Sequence, residues 1–279
     1  MNAGPAVGFI GAGRMGLPMV QRLRAAGMPV VAVARRRELV DQVRAIGVTV
    51  VDTPADVGRA CAVLIECVFD DRQVEEVLLG EHGALGVMAA GSTVVLHTTG
   101  SPRLAERLQA AAPEGVTVLD VPVSGPASDI VAGHITLLAG GPAAALDMAR
   151  PALATYGHPI LHLGVLGDGQ RVKLLNNLQF AVNVRLARDL YRMAADLGVD
   201  AAAALSAVGE SSGRSFGLQM AATDPEHIFE RLREFLDKDV ATVEAMASEH
   251  GGERGRLGEI APWWRNGDRK STPPESPRS

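Results

Sequence analysis

Val7-Gly8-Phe9-Ile10-Gly11-Ala12-Gly13-Arg14-Met15-Gly16-Leu17 is the stretch that decides how this chain is read. A short apolar run ends in Gly-x-Gly-x-x-Gly, and a stretch of helical period opens directly behind it. Thirty-one glycines produce such a spacing by chance, so the weight lies in the context of strand before and helix after, which is that of a dinucleotide-binding turn. Gly11 permits the tight turn, Gly13 lets the backbone approach a pyrophosphate, and Gly16 lets helix and strand pack closely. The helix start supplies amide donors and a positive dipole. Gly11, Ala12, Gly13, Arg14, Met15 and Gly16 are therefore candidate cofactor-binding residues.

About twenty residues further on, an NAD-selective turn carries Asp or Glu for the ribose 2′-hydroxyl. Here the chain reads Val33-Ala34-Arg35-Arg36-Arg37. Guanidinium groups clamp a phosphate bidentately, so Arg35 and Arg36 point to a 2′-phosphate and to NADP in preference to NAD.

Outward from the turn, two signals alternate. Apolar runs at Val7–Ile10, Val30–Val33, Val63–Val68, Val94–His97, Val116–Leu119 and Ile135–Ala139 are separated by helical stretches. Among these are Leu17–Ala26, Glu38–Ile46, Asp71–Leu79 and Arg103–Ala112. Non-alternating strands between helices predict βαβ units and a doubly wound parallel sheet covered on both faces. The alternation stops near Leu163. Gln170 to Leu197 then runs without Pro or Gly, a helix of roughly 40 Å. Apolar residues around much of its circumference predict that it is largely buried. More helices are expected at Ala201–Val208 and Pro225–Glu249.

The 279 residues thus divide into a dinucleotide-binding Rossmann domain (1–165), an all-helical domain entered by a long interdomain helix (166–264), and a polar, proline-bearing disordered tail (265–279). Hydrophobic residues at 47% and charged residues at 21% fit a folded chain. Aromatics at 4% leave few stacking platforms for single-stranded nucleic acid, and Phe216, Phe229 and Phe235 are the rings at hand for a pocket. A net charge of −5 offers no global basic field. Cys61 and Cys67, with no His nearby, fit neither a disulfide framework nor a metal site. No apolar run reaches the ~18 residues of a membrane span, and the first apolar stretch lacks the marks of a signal peptide. The expectation is a cytoplasmic protein without metal, nucleic-acid or membrane partners.

Two further clusters carry chemistry. In Gly167-Asp168-Gly169-Gln170-Arg171-Val172-Lys173, glycines break the chain before the long helix. Lys173 and Asn177, four apart, share one helix face, with Asn176 close by. A partly desolvated lysine has a lowered pKa and can pass a proton to an alkoxide formed by hydride transfer. From position alone this stands level with a lysine that snorkels or pairs at the surface. The other cluster, Asp120-Val121-Pro122-Val123-Ser124-Gly125, follows a strand and should line the crevice at the sheet's carboxyl end.

Taken together, in order, these motifs resemble the β-hydroxyacid dehydrogenase family (3-hydroxyisobutyrate dehydrogenase-like), over about residues 5–250. The set comprises Gly11–Gly16, Asp120–Gly125 with Gly133 and Gly140-Gly141, Gly167–Asn177, and Lys238-Asp239. The resemblance implies that Lys173 is the catalytic acid/base, that Asn177 positions substrate, and that Ser124 and Gly125 bind the substrate carboxylate. It also implies that Thr99 and Lys238 approach the nicotinamide end and that the protein forms a homodimer. Val68 and Phe69, closing the Val63–Val68 run, count with the cofactor-binding residues.

The chain departs from the family at Pro126 and Asp129, where glycines are usual, and at Arg231, which falls near a usual aromatic. Proline lacks the N–H that would hold a carboxylate, and Asp129 would repel an anion. His97 reads as a hydrogen-bonded strand-end histidine, with a second proton carrier as the alternative. The expected function is an NADP(H)-dependent oxidoreductase that interconverts a hydroxy compound and its aldehyde or ketone. The alternatives are an imine reductase of the same fold, against which Lys173 argues, and a non-catalytic NADP-binding regulatory protein, motivated by an apparently short C-terminus.

Overall fold

The computed structural model describes residues 6–34, 36–225 and 227–249. Its carbon-α packing divides the chain into two compact units, meeting between Lys173 and Leu174.

In the first unit, β1 (Ala6–Ile10) leads through the glycine turn into α1 (Gly16–Ala25). There follow β2 (Val30–Val33), α2 (Arg37–Ala45), β3 (Thr49–Val51), α3 (Pro54–Ala60), β4 (Cys61–Glu66) and α4 (Asp71–Leu79). The chain continues as β5 (Thr93–Leu96), α5 (Pro102–Ala111), β6 (Thr117–Asp120), β7 (Val123–Ser124), α6 (Ala127–Ala132), β8 (Ile135–Gly140), α7 (Ala143–Leu153) and β9 (Gly157–Gly164).

The strands join one sheet in the order β3-β2-β1-β4-β5-β6-β8-β7, with β9 pairing β8. Strands β1 to β6 are parallel to one another. From β1 the chain builds outward to β2 and β3 on one side, then crosses to β4, β5 and β6 on the other. The switch point lies between the carboxyl ends of β1 and β4, where open α/β sheets bind ligands.

Both faces are covered, which accounts for the strands' near-continuous apolar runs. Ile65, Val95 and Leu119 join one core with Phe9, Met19 and Leu23, while Leu64, Val94, Leu96 and Val118 join the other with Leu78, Leu85 and Leu108.

The sheet is not wholly parallel, because β8 runs antiparallel to β6 and β7. Three elements lie outside the sequence expectation. β3 is only three residues long, α3 is a seven-residue helix started by a capping box from Thr53 to Asp56, and β9 carries Pro159 in its interior.

The long helix α8 (Asp168–Asp196) crosses from the first unit into the second. Leu174, Leu178, Ala181 and Val184 on it pack with Leu205, Leu218 and Val240 from α9 (Ala201–Gly209), α10 (Phe216–Thr223) and α11 (Ile228–Glu249). The helix is not buried all round, as its composition suggested. Val172, Leu175, Leu186 and Met193 are exposed, because the partner helices pack on the side that carries Leu174, Leu178, Ala181 and Val184. Residues 265–279 lie outside the described residues, as does Arg35. The same holds for the side chains of Phe229 and Phe235.

Candidate cofactor and active site

The three glycines of the turn occupy three different environments. Gly11 has φ +101°, and a Cβ on it would lie 2.3 Å from the Cys67 carbonyl oxygen beyond β4. A Cβ on Gly16 would meet the Gly11 carbonyl oxygen at 2.2 Å and the Phe9 ring at 2.8 Å. Both positions are closed by the protein itself. Gly13 has no atom within 4 Å of its Cβ position, so its backbone faces open space. α1 begins on Met15 with no side-chain cap; of its first amides Leu17 already donates to the Gly13 carbonyl at 2.8 Å and Pro18 has none, so the glycine turn ahead of them is what offers backbone to a ligand. A turn closed at Gly11 and Gly16 and open at Gly13 fits a dinucleotide pyrophosphate. Arg14 is exposed, and Arg36 stands exposed in extended backbone just ahead of α2.

Beside this turn, the ends of three strands bury ionisable groups. Glu66 closes β4 with no exposed surface. Its Oε1 accepts the Val68 N–H at 2.5 Å and lies 2.6 Å from the Thr98 hydroxyl. Burial pushes its carboxyl up to about 7, against those hydrogen bonds. Phe69, half exposed, gives its N–H to the Gln73 side chain at 3.2 Å.

His97, one residue past β5, lies between the Val121 carbonyl at 2.6 Å (Nδ1) and the Tyr156 hydroxyl at 2.8 Å (Nε2). The carbonyl can only accept, so Nδ1 carries the proton and Nε2 accepts from tyrosine. Burial lowers its pKa to about 4. With both nitrogens committed, His97 is the hydrogen-bonded strand-end histidine and has no position open for carrying a proton to substrate.

Asp120 closes β6 and accepts the N–H of Gly167 and of Gln170, each at 2.7 Å. It thereby ties down the entry of α8. Burial pushes it up to about 6, opposed by those two amides. Gly169 is needed there, since a Cβ would lie 2.3 Å from the Leu138 carbonyl oxygen. The Gln170 side chain adds a second tie, donating to the Thr98 carbonyl at 2.7 Å and accepting the Gly100 N–H at 3.0 Å. Thr99 sits between those two contacts. One turn beyond Gln170, Lys173 is nine-tenths buried.

In the second unit, the buried Asn177 donates to Asp239 at 2.6 Å, and Lys238 pairs with the other oxygen of Asp239 at 2.9 Å. Asn176 donates to Asn177 at 3.1 Å. Asp239, marked in the sequence as part of the Lys238-Asp239 motif but given no role there, is the hub of this cluster.

In the loop after β7, Gly125 has φ +137° and the Asp129 carboxylate lies 2.6 Å from where its Cβ would be. Asp129 therefore folds against Gly125, and Pro126, which has no N–H, precedes α6. Ser124 is half-buried.

Glu66, Asp120 and Gln170 were not read as site residues. The available signal was a carboxylate at the end of each of two apolar strands, a group costly to bury without a partner.

Comparison with known proteins finds matches to both parts of the chain. Residues 6–164 match the family described as the NAD binding domain of 6-phosphogluconate dehydrogenase. Residues 167–272 match the NAD-binding region of NADP-dependent 3-hydroxyisobutyrate dehydrogenase. The chain belongs to the β-hydroxyacid dehydrogenase family.

Among its relatives is an L-threonate dehydrogenase of Cupriavidus necator, 34% identical over 75% of this chain and 71% of that protein. Another is an NAD-dependent L-serine dehydrogenase of Pseudomonas aeruginosa, 32% identical over 77% of this chain and 72% of that protein. A Mycobacterium tuberculosis 3-hydroxyisobutyrate dehydrogenase with L-serine superposes with a TM-score of 0.82 at 22% identity, covering 94% of this chain and 92% of that one. An imine reductase of Myxococcus stipitatus with NADP+ shares the fold, with a TM-score of 0.65 at 19% identity over 94% and 93% of the two chains. This chain is accordingly an oxidoreductase of the β-hydroxyacid dehydrogenase family with an NAD(P)-binding domain. No metal-binding cluster occurs among the described residues, and none of their helices is long and apolar enough to cross a membrane.

Proposed function

We propose that the protein is an NADP(H)-dependent oxidoreductase that interconverts a hydroxy compound and its aldehyde or ketone, with Lys173 as acid/base. The observation that carries this reading is a nine-tenths-buried lysine on a helix whose first turn is tied to the ends of β5 and β6 by Gln170 and Asp120. Such a lysine is fixed in place and shielded from water, as proton transfer requires. The bound nicotinamide supplies or takes up the hydride. Lys173 as ammonium gives a proton to the carbonyl oxygen as the alcohol forms, and as amine it takes the hydroxyl proton in the reverse direction. Ser124, Gly125 and Asn177 orient the substrate, Thr99 and Lys238 serve the cofactor's reacting end, and Val68 and Phe69 bind the cofactor. Arg35 and Arg36 favour NADP, which two guanidinium groups suit better than an unphosphorylated ribose.

Residues 1–165 serve the cofactor, and residues 166–264 serve substrate and self-association. The exposed Leu175, Leu186 and Met193 on α8 suit a homodimer contact. Two free cysteines suit a reducing cytoplasm.

Imine reduction is a second reading, favoured by one observation: Asp129 against Gly125 suits a cationic substrate better than a carboxylate. A panel of hydroxy acids, semialdehydes, neutral carbonyls and cyclic imines, followed by NADPH absorbance, separates the two. In Lys173→Ala, kcat should fall by about 10²–10⁴ with NADPH affinity unchanged. Near-wild-type turnover would sink the mechanism.

A further inference from the structure

The last residue of β4 stands at the switch point, paired in the sheet with Ile10 on one side and Leu96 on the other. That residue is Glu66, fully buried, and its Oε2 has no hydrogen-bond partner among the described residues. A buried carboxyl with an orphaned oxygen is costly, and the proton-transfer chemistry proposed for Lys173 does not use it.

Its neighbour Thr98 has one hydroxyl proton and two acceptors within reach, Glu66 Oε1 at 2.6 Å and the Val68 carbonyl at 2.8 Å. When Glu66 is ionised, that proton goes to the carboxylate and the Val68 carbonyl loses it. When Glu66 carries a proton on Oε1, the carboxyl donates to the threonine oxygen and the hydroxyl is released to Val68. The two proton arrangements therefore differ in whether Thr98 bonds the Val68 carbonyl directly or is joined to Val68 through the Glu66 carboxylate.

The same loop after β5 is also held from its far side. The Thr98 carbonyl and the Gly100 N–H meet the Gln170 side chain, and the Ser101 N–H donates to Asp71 at 3.0 Å. Gln170 lies one turn before Lys173 on the same helix. Val68 sits beside Gly11, whose Cβ position falls 3.0 Å from the Val68 nitrogen.

We propose that Glu66 is a positioning residue for the dinucleotide. Acting through Thr98, its protonated form ties the 98–101 loop to Val68 beside the glycine turn, and this is the form that binds the cofactor. Burial raises the carboxyl to about 7, so both forms are populated near neutrality. Asp71 at the start of α4 adds to the rise. The adjoining Cys67 thiol is pushed up by burial and stays protonated, and His97 on β5 is held neutral. The proposal rests on dinucleotide binding and is independent of the role given to Lys173.

The test is a fluorescence titration of NADPH, and separately of NADH, into wild type, Glu66→Gln and Thr98→Val between pH 6 and 9, with melting curves alongside. The wild-type Kd should rise about three- to tenfold across that range, the weight of one hydrogen bond. Glu66→Gln cannot ionise, so its Kd should not change with pH across that range. Thr98→Val, with the tie removed, should bind weakly and without pH dependence. A flat wild-type profile, or equal slopes in wild type and Glu66→Gln, overturns the proposal, even if melting temperatures move. Failure of both nucleotides to bind at any pH overturns it together with the cofactor reading.

Discussion

The carboxyl end of β1 and those of β4, β5 and β6 lie along one edge of the same sheet and are built in opposite ways. β1 ends in backbone alone: Gly11 and Gly16 are closed by main-chain contacts, and Gly13 is left open. The other three strands end in buried ionisable side chains, Glu66, His97 and Asp120. Burial pushes each of these toward its neutral form, to about 7, about 4 and about 6 respectively. One end makes room for a ligand. The other makes a floor of low charge whose polar groups bind mostly to each other and to the backbone, and this strengthens any electrostatic contact made above it.

The sharpest way to break this contrast is to fill the opening. In Gly13→Val the new side chain meets no protein atom within 4 Å at its Cβ, so stability should change by no more than about 0.5 kcal/mol. NADPH should lose about a hundredfold or more in affinity, roughly 3 kcal/mol, measured by equilibrium titration. Gly16→Ala should do the reverse. Its Cβ would run into the Gly11 carbonyl and cost about 1–3 kcal/mol of folding stability. If Gly13→Val unfolds the protein, or still binds NADPH normally, the opening is not the pyrophosphate cradle.

The two constructions also differ in how much of them the sequence could show. A glycine turn is legible because its requirements are local: positive φ and close approach exclude every other residue at fixed spacing. The alternation of apolar runs and helices was legible for the same reason, and α4 runs over the Asp71–Leu79 its period indicated. The floor was not, because its partners are distant in the chain. Asp120 meets amides at Gly167 and Gln170, His97 meets Tyr156, and Gln170 reaches back to Thr98. Lys173 was legible as a polar residue on an apolar helix, whereas the two side chains that fix its turn were not. The antiparallel placement of β8 was equally hidden, since the short β7 that precedes it has almost no pattern of its own.

The floor can be tested at its join to α8. Asp120→Ala removes the acceptor of two buried N–H groups, each costing about 1–3 kcal/mol when left unsatisfied. Relief of the buried carboxyl offsets part of that, so a net loss of about 2–3 kcal/mol is expected in denaturant unfolding. Because the turn bearing Lys173 loosens while the glycine turn is untouched, kcat should fall with little change in NADPH affinity. An equal loss in both would mean that the two ends of the sheet edge are one structural unit.

The smallest effect concerns His97 and has a definite sign. Its folded pKa, about 4, lies below the ordinary 6.5, so the native state prefers the neutral ring. That preference contributes nothing to pH dependence above 6.5, and stability is lost as pH falls from there through about 4. At pH 5 the loss amounts to about 2 kcal/mol. Glu66 and Asp120 act in the opposite sense, since their raised values make stability fall as pH rises, up to about 7 and about 6. The measured curve is the sum of these, so His97 must be isolated by substitution. His97→Gln can donate to Val121 and accept from Tyr156 without titrating. Its denaturation midpoint should therefore rise relative to wild type as pH is lowered from 6.5 to 5, whatever its absolute stability. Parallel curves would mean that the ring escapes its pocket on protonation, and that the floor beneath β5 is less closed than its hydrogen bonds indicate.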